Sequence, residues 1–222
     1  MTCGPDSCEF CFHTSKNLSI LPIDEAKRGL RLLAAAGMVK LNISGGEPYL
    51  QPDFIGEIFR FCKNELHLES CSVVTNGSKV TEKWLAKYGQ YLDIMAISCD
   101  SFDPETNVLI GRAENGSGKH IGRVHQLADW CREHHIKVKI NSVINRQVQT
   151  EDISPEAKTD YRHNWQEDMN SSIEEISPVR WKVRMEILNT TLKSRFTYLP
   201  RVGIPSPTVG RREHWKRHRV YP

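Results

Sequence analysis

Three cysteines, Cys3, Cys8 and Cys11, crowd the start of this 222-residue chain with the spacing Cys-x4-Cys-x2-Cys. Thiolates are soft ligands, and three of them on one short loop suit either of two centres. One is a cubane [4Fe–4S] cluster with one iron left open to a non-protein ligand. The other is a zinc site of three cysteines and one histidine, with His13 as the fourth donor. Spacing alone leaves both open. The total of seven cysteines is odd, and in a reducing compartment such a crowd reads as a metal or catalytic site, not a disulfide frame. Cys62, Cys71, Cys99 and Cys131 sit singly in apolar segments and read as free buried thiols.

A second group follows an apolar run: Ser44-Gly45-Gly46-Glu47-Pro48. Paired glycines let backbone approach a ligand closely, and Glu47 adds an acceptor. By itself the string would pass for a turn. The third group is cationic. Lys40, Asn42 and Ser44 share one face of an extended segment, Lys139 and Asn141 share another, and Arg180 and Lys182 a third. Strands of parallel sheets are normally apolar on both faces. Here the apolar partners (Val39, Leu41, Ile43; Val138, Ile140; Val179, Trp181, Val183) suit a helix-covered side. The four cations then point inward together. Four unpaired cations are costly to bury, so a polyanion such as a nucleoside triphosphate is the economical ligand, with arginine suited to bidentate phosphate contact.

The elements that position these groups alternate. Helices are expected over residues 21–37, with Gly37 as C-cap, and over Asp53–Asn64, Thr81–Tyr88, Ile121–His134 and Asn164–Ile176. Strands are expected at Val39–Ile43, Ser72–Thr75, Asp93–Ser98, Ile136–Ile144 and Pro178–Val183. Such alternation implies right-handed βαβ units and an α/β fold on a parallel sheet, with sites at the C-terminal strand ends. No Gly-x-Gly-x-x-Gly follows any strand, which favours a partial (β/α)6 barrel over a Rossmann sheet. Five strands are visible, and a sixth would precede Cys3 in a chain that began earlier.

Length allows one domain, and no run approaches a membrane span. The opening Met1-Thr2-Cys3 lacks the basic and apolar regions of a signal peptide, which points to the cytoplasm. The net charge of +3 hides an asymmetry: residues 183–222 hold nine Lys/Arg against two Asp/Glu. Pro200, Pro205, Pro207 and Pro222 break that segment. A basic tail can bind nucleic acid, but this one reads as disordered, with no direct nucleic-acid partner expected.

A three-cysteine loop followed one βα unit later by Gly-Gly-Glu-Pro resembles the radical S-adenosylmethionine (SAM) superfamily, which decides for the iron–sulfur cluster over zinc. Within it the chain resembles the viperin-like enzymes. The resemblance is carried by Cys8-Glu9-Phe10-Cys11-Phe12-His13-Thr14, Glu25–Leu30, Ser44–Pro48, Thr75-Asn76-Gly77-Ser78 and Ala96–Asp103. It continues through Asn107–Arg112, Lys139–Arg146 and Pro178–Val183. The resemblance implies a radical SAM barrel with a [4Fe–4S] cluster on Cys3, Cys8 and Cys11, whose open iron is chelated by SAM. One electron cleaves the sulfonium and releases a 5′-deoxyadenosyl radical. Viperin-like enzymes convert CTP or UTP to the 3′-deoxy-3′,4′-didehydro nucleotide, an antiviral chain terminator. The SAM positions carried over are Ser44, Gly45, Gly46, Glu47, Pro48, Asn76, Ser98 and Arg112. The triphosphate positions are Lys40, Lys139, Asn141, Arg180 and Lys182. No side chain is assigned as catalytic, since the cofactor carries the hard chemistry. A flavodoxin- or reductase-type electron donor is implied. The anchor by which relatives associate with endoplasmic reticulum or lipid droplets has no counterpart here.

The chain departs from the family pattern in three places. The family spaces its first two cysteines by three residues, whereas Gly4-Pro5 lies within a four-residue spacer here. Residues 147–163 form a polar insertion without period, and the resemblance stops at Val183. The expected division is a radical SAM core over 1–183, with 184–222 as the unmatched basic tail. On this reading the chain is a partial gene product. The alternatives are an inactive relative that binds SAM or partners only, and a zinc module with a nucleic-acid-binding tail.

Overall fold

A computed structural model describes residues 19–109, 119–145, 169–189 and 192–198. The cysteine loop, Arg112, the 147–163 insertion and residues 199–222 lie outside the described residues.

The first helix, α1 (Ile23–Ala35), opens after Pro22 with Asp24 and Glu25 in its first turn, where acids complement the helix dipole. It closes as the sequence requires. Gly37 at φ +97° lets its N–H reach Ala34 O while Met38 N–H reaches Leu33 O, a left-handed cap that serves two end carbonyls. Strand β1 (Lys40–Ile43) leads through a single 3-10 turn (Pro48–Leu50) into α2 (Pro52–Asn64). Then come β2 (Ser70–Thr75), α3 (Glu82–Tyr88), β3 (Ile94–Ser98), α4 (Pro104–Leu109), α5 (Lys119–Glu133) and β4 (Lys137–Asn145). After the insertion follow α6 (Asn170–Ile176), β5 (Arg180–Asn189) and β6 (Leu192–Tyr198).

Strands β1 to β5 are all parallel and lie side by side in chain order. That monotonic order excludes the doubly wound alternative, whose strand order reverses at a switch point. With right-handed crossovers, every connecting helix falls on the same face of the sheet, as in one wall of a (β/α) barrel. The core sits between that face and the helices. Val73, Met95, Ile97 and Ile140 are fully buried there against Ile55, Phe59 and Leu127. Cys62, Cys71, Cys99 and Cys131 form no disulfide and have no exposure. Burial pushes the Cys131 thiol up to about 12, which makes it inert.

Three details differ from the sequence reading. The tail was expected to begin at residue 184, but β5 runs on through Asn189 and pairs antiparallel with β6. The sixth described strand therefore lies beside β5, because a chain that turns back after Asn189 finds the nearest open edge there. Val39 and Val179 were given to the helix side, yet they precede their strands and are 48% and 57% exposed. The helix α4 went unread, although its signal was present. Asp103 precedes Pro104, and its Oδ2 accepts from Thr106 N at 2.7 Å and Thr106 Oγ1 at 2.6 Å, the bonds of an N-cap.

Gly56 marks where α2 meets α3. A Cβ there would fall 2.5 Å from the ring of Tyr88, which is 2% exposed. Gly56→Ala gains up to about 1 kcal/mol of helix propensity. The buried ring cannot move away, so the variant is expected to lose about 1–3 kcal/mol net, read as a lower midpoint in urea unfolding.

Candidate functional site

The face of the sheet opposite the helices is polar, and the parallel register puts its side chains in rows. One row in from the start of β1 and β2, and at the start of β3 and β4, run Asn42, Ser72, Ile94 and Lys137. The next row is Val74, Ala96, Lys139 and Arg180, and above it Ser98, Asn141 and Lys182 stand side by side. Side chains on one face confirm the phase: Ser72 Oγ donates to Asn42 Oδ1 at 2.8 Å. Lys139 is half-buried, and its amine is held below its ordinary value by burial first and then by the charges of Arg180 and Lys182. Three cations therefore share one patch whose mutual repulsion a bound anion would relieve.

The structure thus brings together Ser98, Lys139, Asn141, Arg180 and Lys182. Lys40 is on the same face but at the far edge, three strands from Lys139 and two rows nearer the N-terminal strand ends, about 20 Å away at ordinary strand spacing and rise. It is exposed, 3.8 Å from Glu69 Oε2. Lys137, which the sequence reading passed over, continues the face one row below Lys139; its signal was its place two residues before Lys139.

At the C-terminal ends of β1 and β2 the second group takes shape. Ser44 is exposed, and Gly45 and Gly46 adopt φ +98° and +55°, conformations that glycine enters without a steric cost. Their backbone is half-buried. Glu47 is 2% exposed. Its Oε1 accepts from Tyr49 N at 3.0 Å and Thr75 Oγ1 at 2.7 Å, and Oε2 accepts from Asn76 N at 2.8 Å. Burial raises its pKa above 4.5 against the opposing pull of these donors. The sequence reading took Glu47 as an acceptor for the ligand, whereas its carboxylate ties the β1 loop to the end of β2. Thr75, missed from sequence, is the hub: its Oγ1 also accepts from Gly77 N at 2.9 Å. Asn76 is half-buried, and its Oδ1 accepts from Ser78 N at 2.9 Å.

Beyond β3 a second brace forms. Ser142 Oγ donates to Cys99 O at 2.5 Å and accepts from Trp181 Nε1 at 3.0 Å, while Asp100 Oδ1 accepts from Val143 N at 2.7 Å. These bonds lock the ends of β3, β4 and β5 together beside Ser98 and Asn141. Among the described residues no group of three or more His, Cys, Asp or Glu is placed to hold a metal ion. The three cysteines and Arg112 lie outside them. No described helix is long and apolar enough to cross a membrane.

Comparison with known proteins bears on this arrangement. The family described as the Radical SAM superfamily matches residues 2–155. The S-adenosylmethionine-dependent nucleotide dehydratase RSAD2 of Danio rerio is 52% identical over 178 residues, which cover 79% of this chain and 45% of that protein. Its counterpart in Siniperca chuatsi is 49% identical over 178 residues, covering 79% and 46%. The chain therefore spans less than half the length of these curated relatives. Among solved structures, the radical SAM methyltransferase TsrM of Kitasatospora setae, with cobalamin and a [4Fe–4S] cluster bound, superposes with a TM-score of 0.52. The match covers 74% of this chain and 31% of that one at 15% identity, a likeness of fold.

Proposed function

This chain belongs to the radical SAM superfamily, and from that premise we propose that it dehydrates a pyrimidine nucleoside triphosphate, CTP or UTP, to the 3′-deoxy-3′,4′-didehydro nucleotide. The observation that carries the substrate class is the cationic patch of Lys139, Arg180 and Lys182 on the open face of the sheet, in register with Asn141 and Ser98. The similarity to the RSAD2 dehydratases supports the reaction type.

The described residues fit SAM. The positive-φ pair Gly45–Gly46 offers half-buried backbone in the loop that Glu47 ties to Asn76, where an aminoacyl group needs donors and acceptors but no bulk. The donor set for a [4Fe–4S] cluster is Cys3, Cys8 and Cys11, three thiolates in a segment whose sequence holds no fourth cysteine before Cys62, as an open iron demands. Bound there, the cluster and SAM supply one-electron cleavage of the sulfonium. The chain's own residues hold and orient. The cations and Asn141 hold the triphosphate, Ser98 serves SAM, and the braced strands keep the sugar in line with the SAM loop. A flavodoxin- or reductase-type protein serves as electron donor. Thiolate ligands suit the reducing cytoplasm, which we take as the compartment.

The test is anaerobic reconstitution with iron and sulfide, followed by 5′-deoxyadenosine measurement with each of the four common nucleoside triphosphates. Formation that rises only with CTP or UTP is the expected result. SAM binding without any nucleotide-dependent product would favour an inactive relative. Replacing Lys139 and Arg180 singly with Met is expected to raise the nucleotide KM by about 10–100-fold each, the worth of one hydrogen bond to a charged group. The KM for SAM is expected to be unchanged. Equal effects on both would place these cations outside the nucleotide site.

A further inference from the structure

Arg123 on α5 makes contacts that neither the cationic patch nor the cysteine loop explains. Its Nε donates to Gly77 O at 3.0 Å, a second nitrogen donates to Val80 O, and the third reaches Gln126 Oε1. The guanidinium also lies 4.8 Å from the ring centroid of Trp130. Both carbonyls belong to the loop that joins β2 to α3 and begins at Asn76. Gly77 sits at φ +82°, and a Cβ there would fall 2.4 Å from Leu127 Cδ1, so the loop lies flat on α5.

Asn76 is consequently gripped from two sides. Glu47 holds its backbone N–H from the β1 loop, and Arg123 holds the next turn from α5. We infer that Arg123 is a positioning residue for the SAM end of the site: by bridging the Gly77 and Val80 carbonyls it keeps Asn76 on the Glu47 carboxylate that follows Gly45 and Gly46. This rests on the SAM reading above. Chemistry explains the choice of residue. A planar guanidinium with several fixed donors spans two carbonyls at once, whereas an ammonium presents one compact charge. Thr75 and Glu47 end their reach at Gly77 N–H, and Val80 is anchored by its own buried side chain; among the described residues Arg123 adds the side-chain hydrogen bonds that tie the Gly77 and Val80 carbonyls to α5.

The experiment compares the reconstituted full-length wild type with Arg123→Ala, Arg123→Lys and a control, Arg132→Ala, whose guanidinium pairs with Asp129 on the same helix at 2.6 Å. SAM binding is measured by equilibrium dialysis and loop order by hydrogen exchange of residues 76–80. Loss of a charge-assisted tie predicts about tenfold weaker SAM binding in Arg123→Ala and faster exchange confined to the loop. Saturating SAM is expected to restore both the slow exchange and a near-wild-type rate of 5′-deoxyadenosine formation. Arg123→Lys should recover part of the affinity, and Arg132→Ala should match wild type. Wild-type SAM affinity in Arg123→Ala overturns the inference, as does a rate loss that saturating SAM leaves in place. If the wild type itself fails to bind SAM, the functional reading fails instead.

Discussion

Cys11→Ser is expected to abolish the proposed SAM cleavage, a loss of at least about 10^6-fold if the whole enzymatic acceleration goes with it. A cubane held by three thiolates has no spare protein ligand, and a serine hydroxyl does not ionise near neutral pH to replace one. Iron and sulfide content after reconstitution, with 5′-deoxyadenosine formation, checks this directly. Cys8→Ser is expected to behave the same way. Cys3→Ser tests the four-residue spacer: if Cys3 is the third ligand, its loss is as complete as the others. His13→Ala discriminates the centres, because it leaves an iron–sulfur cluster intact but removes the fourth donor of a zinc site. Cluster retention in both Cys8→Ser and Cys11→Ser would remove the basis of the cofactor assignment.

Glu47→Ala is expected to cost about 3–5 kcal/mol. Its removal strands two buried donors, Tyr49 N and Thr75 Oγ1, and the half-buried Asn76 N, a buried one costing roughly 1–3 kcal/mol when left unpaired. Release of the carboxylate's own burial cost offsets part of the sum. In a domain of this size a loss of that order lowers Tm by roughly 10 °C. Glu47→Gln keeps the shape but places an amide N–H where a donor must be received, and so recovers only part of the stability.

The pH dependence gives an independent check. Burial raises the Glu47 pKa above 4.5 in the fold. A carboxyl that binds its proton more tightly folded than unfolded favours folding most below the unfolded pKa. That contribution is lost as pH rises through the folded pKa. The stability advantage of wild type over Glu47→Gln is therefore expected to shrink from pH 4 to pH 7, measured by urea midpoints. An advantage that grows with pH would mean that the donors outweigh burial. Lys139 runs the opposite way. Its depressed pKa makes the fold gain stability as pH climbs through the folded value toward the unfolded one, and removing the Arg180 charge should weaken that gain.

What the sequence determined by itself was local and periodic. The 3.6-residue stripe of Phe54, Ile58, Phe61 and Cys62 requires α2, Gly37 requires the end of α1, and the period-two alternation of Lys139 and Asn141 with Val138 and Ile140 requires a strand with one polar face. Phase within a strand is a property of neighbours, so the side on which the cations stand was legible before any fold. Tertiary structure decided the rest. Whether Glu47 faces ligand or interior depends on Thr75 and Asn76, 28 and 29 residues away. Arg123 meets Gly77 across 46 residues, a pairing that no short window contains. The same limit explains Lys40, which shares the phase of Lys139 but stands three strands from it. Alternation fixes the face on which a side chain lies, but only the packing order of the strands fixes its distance from its partners.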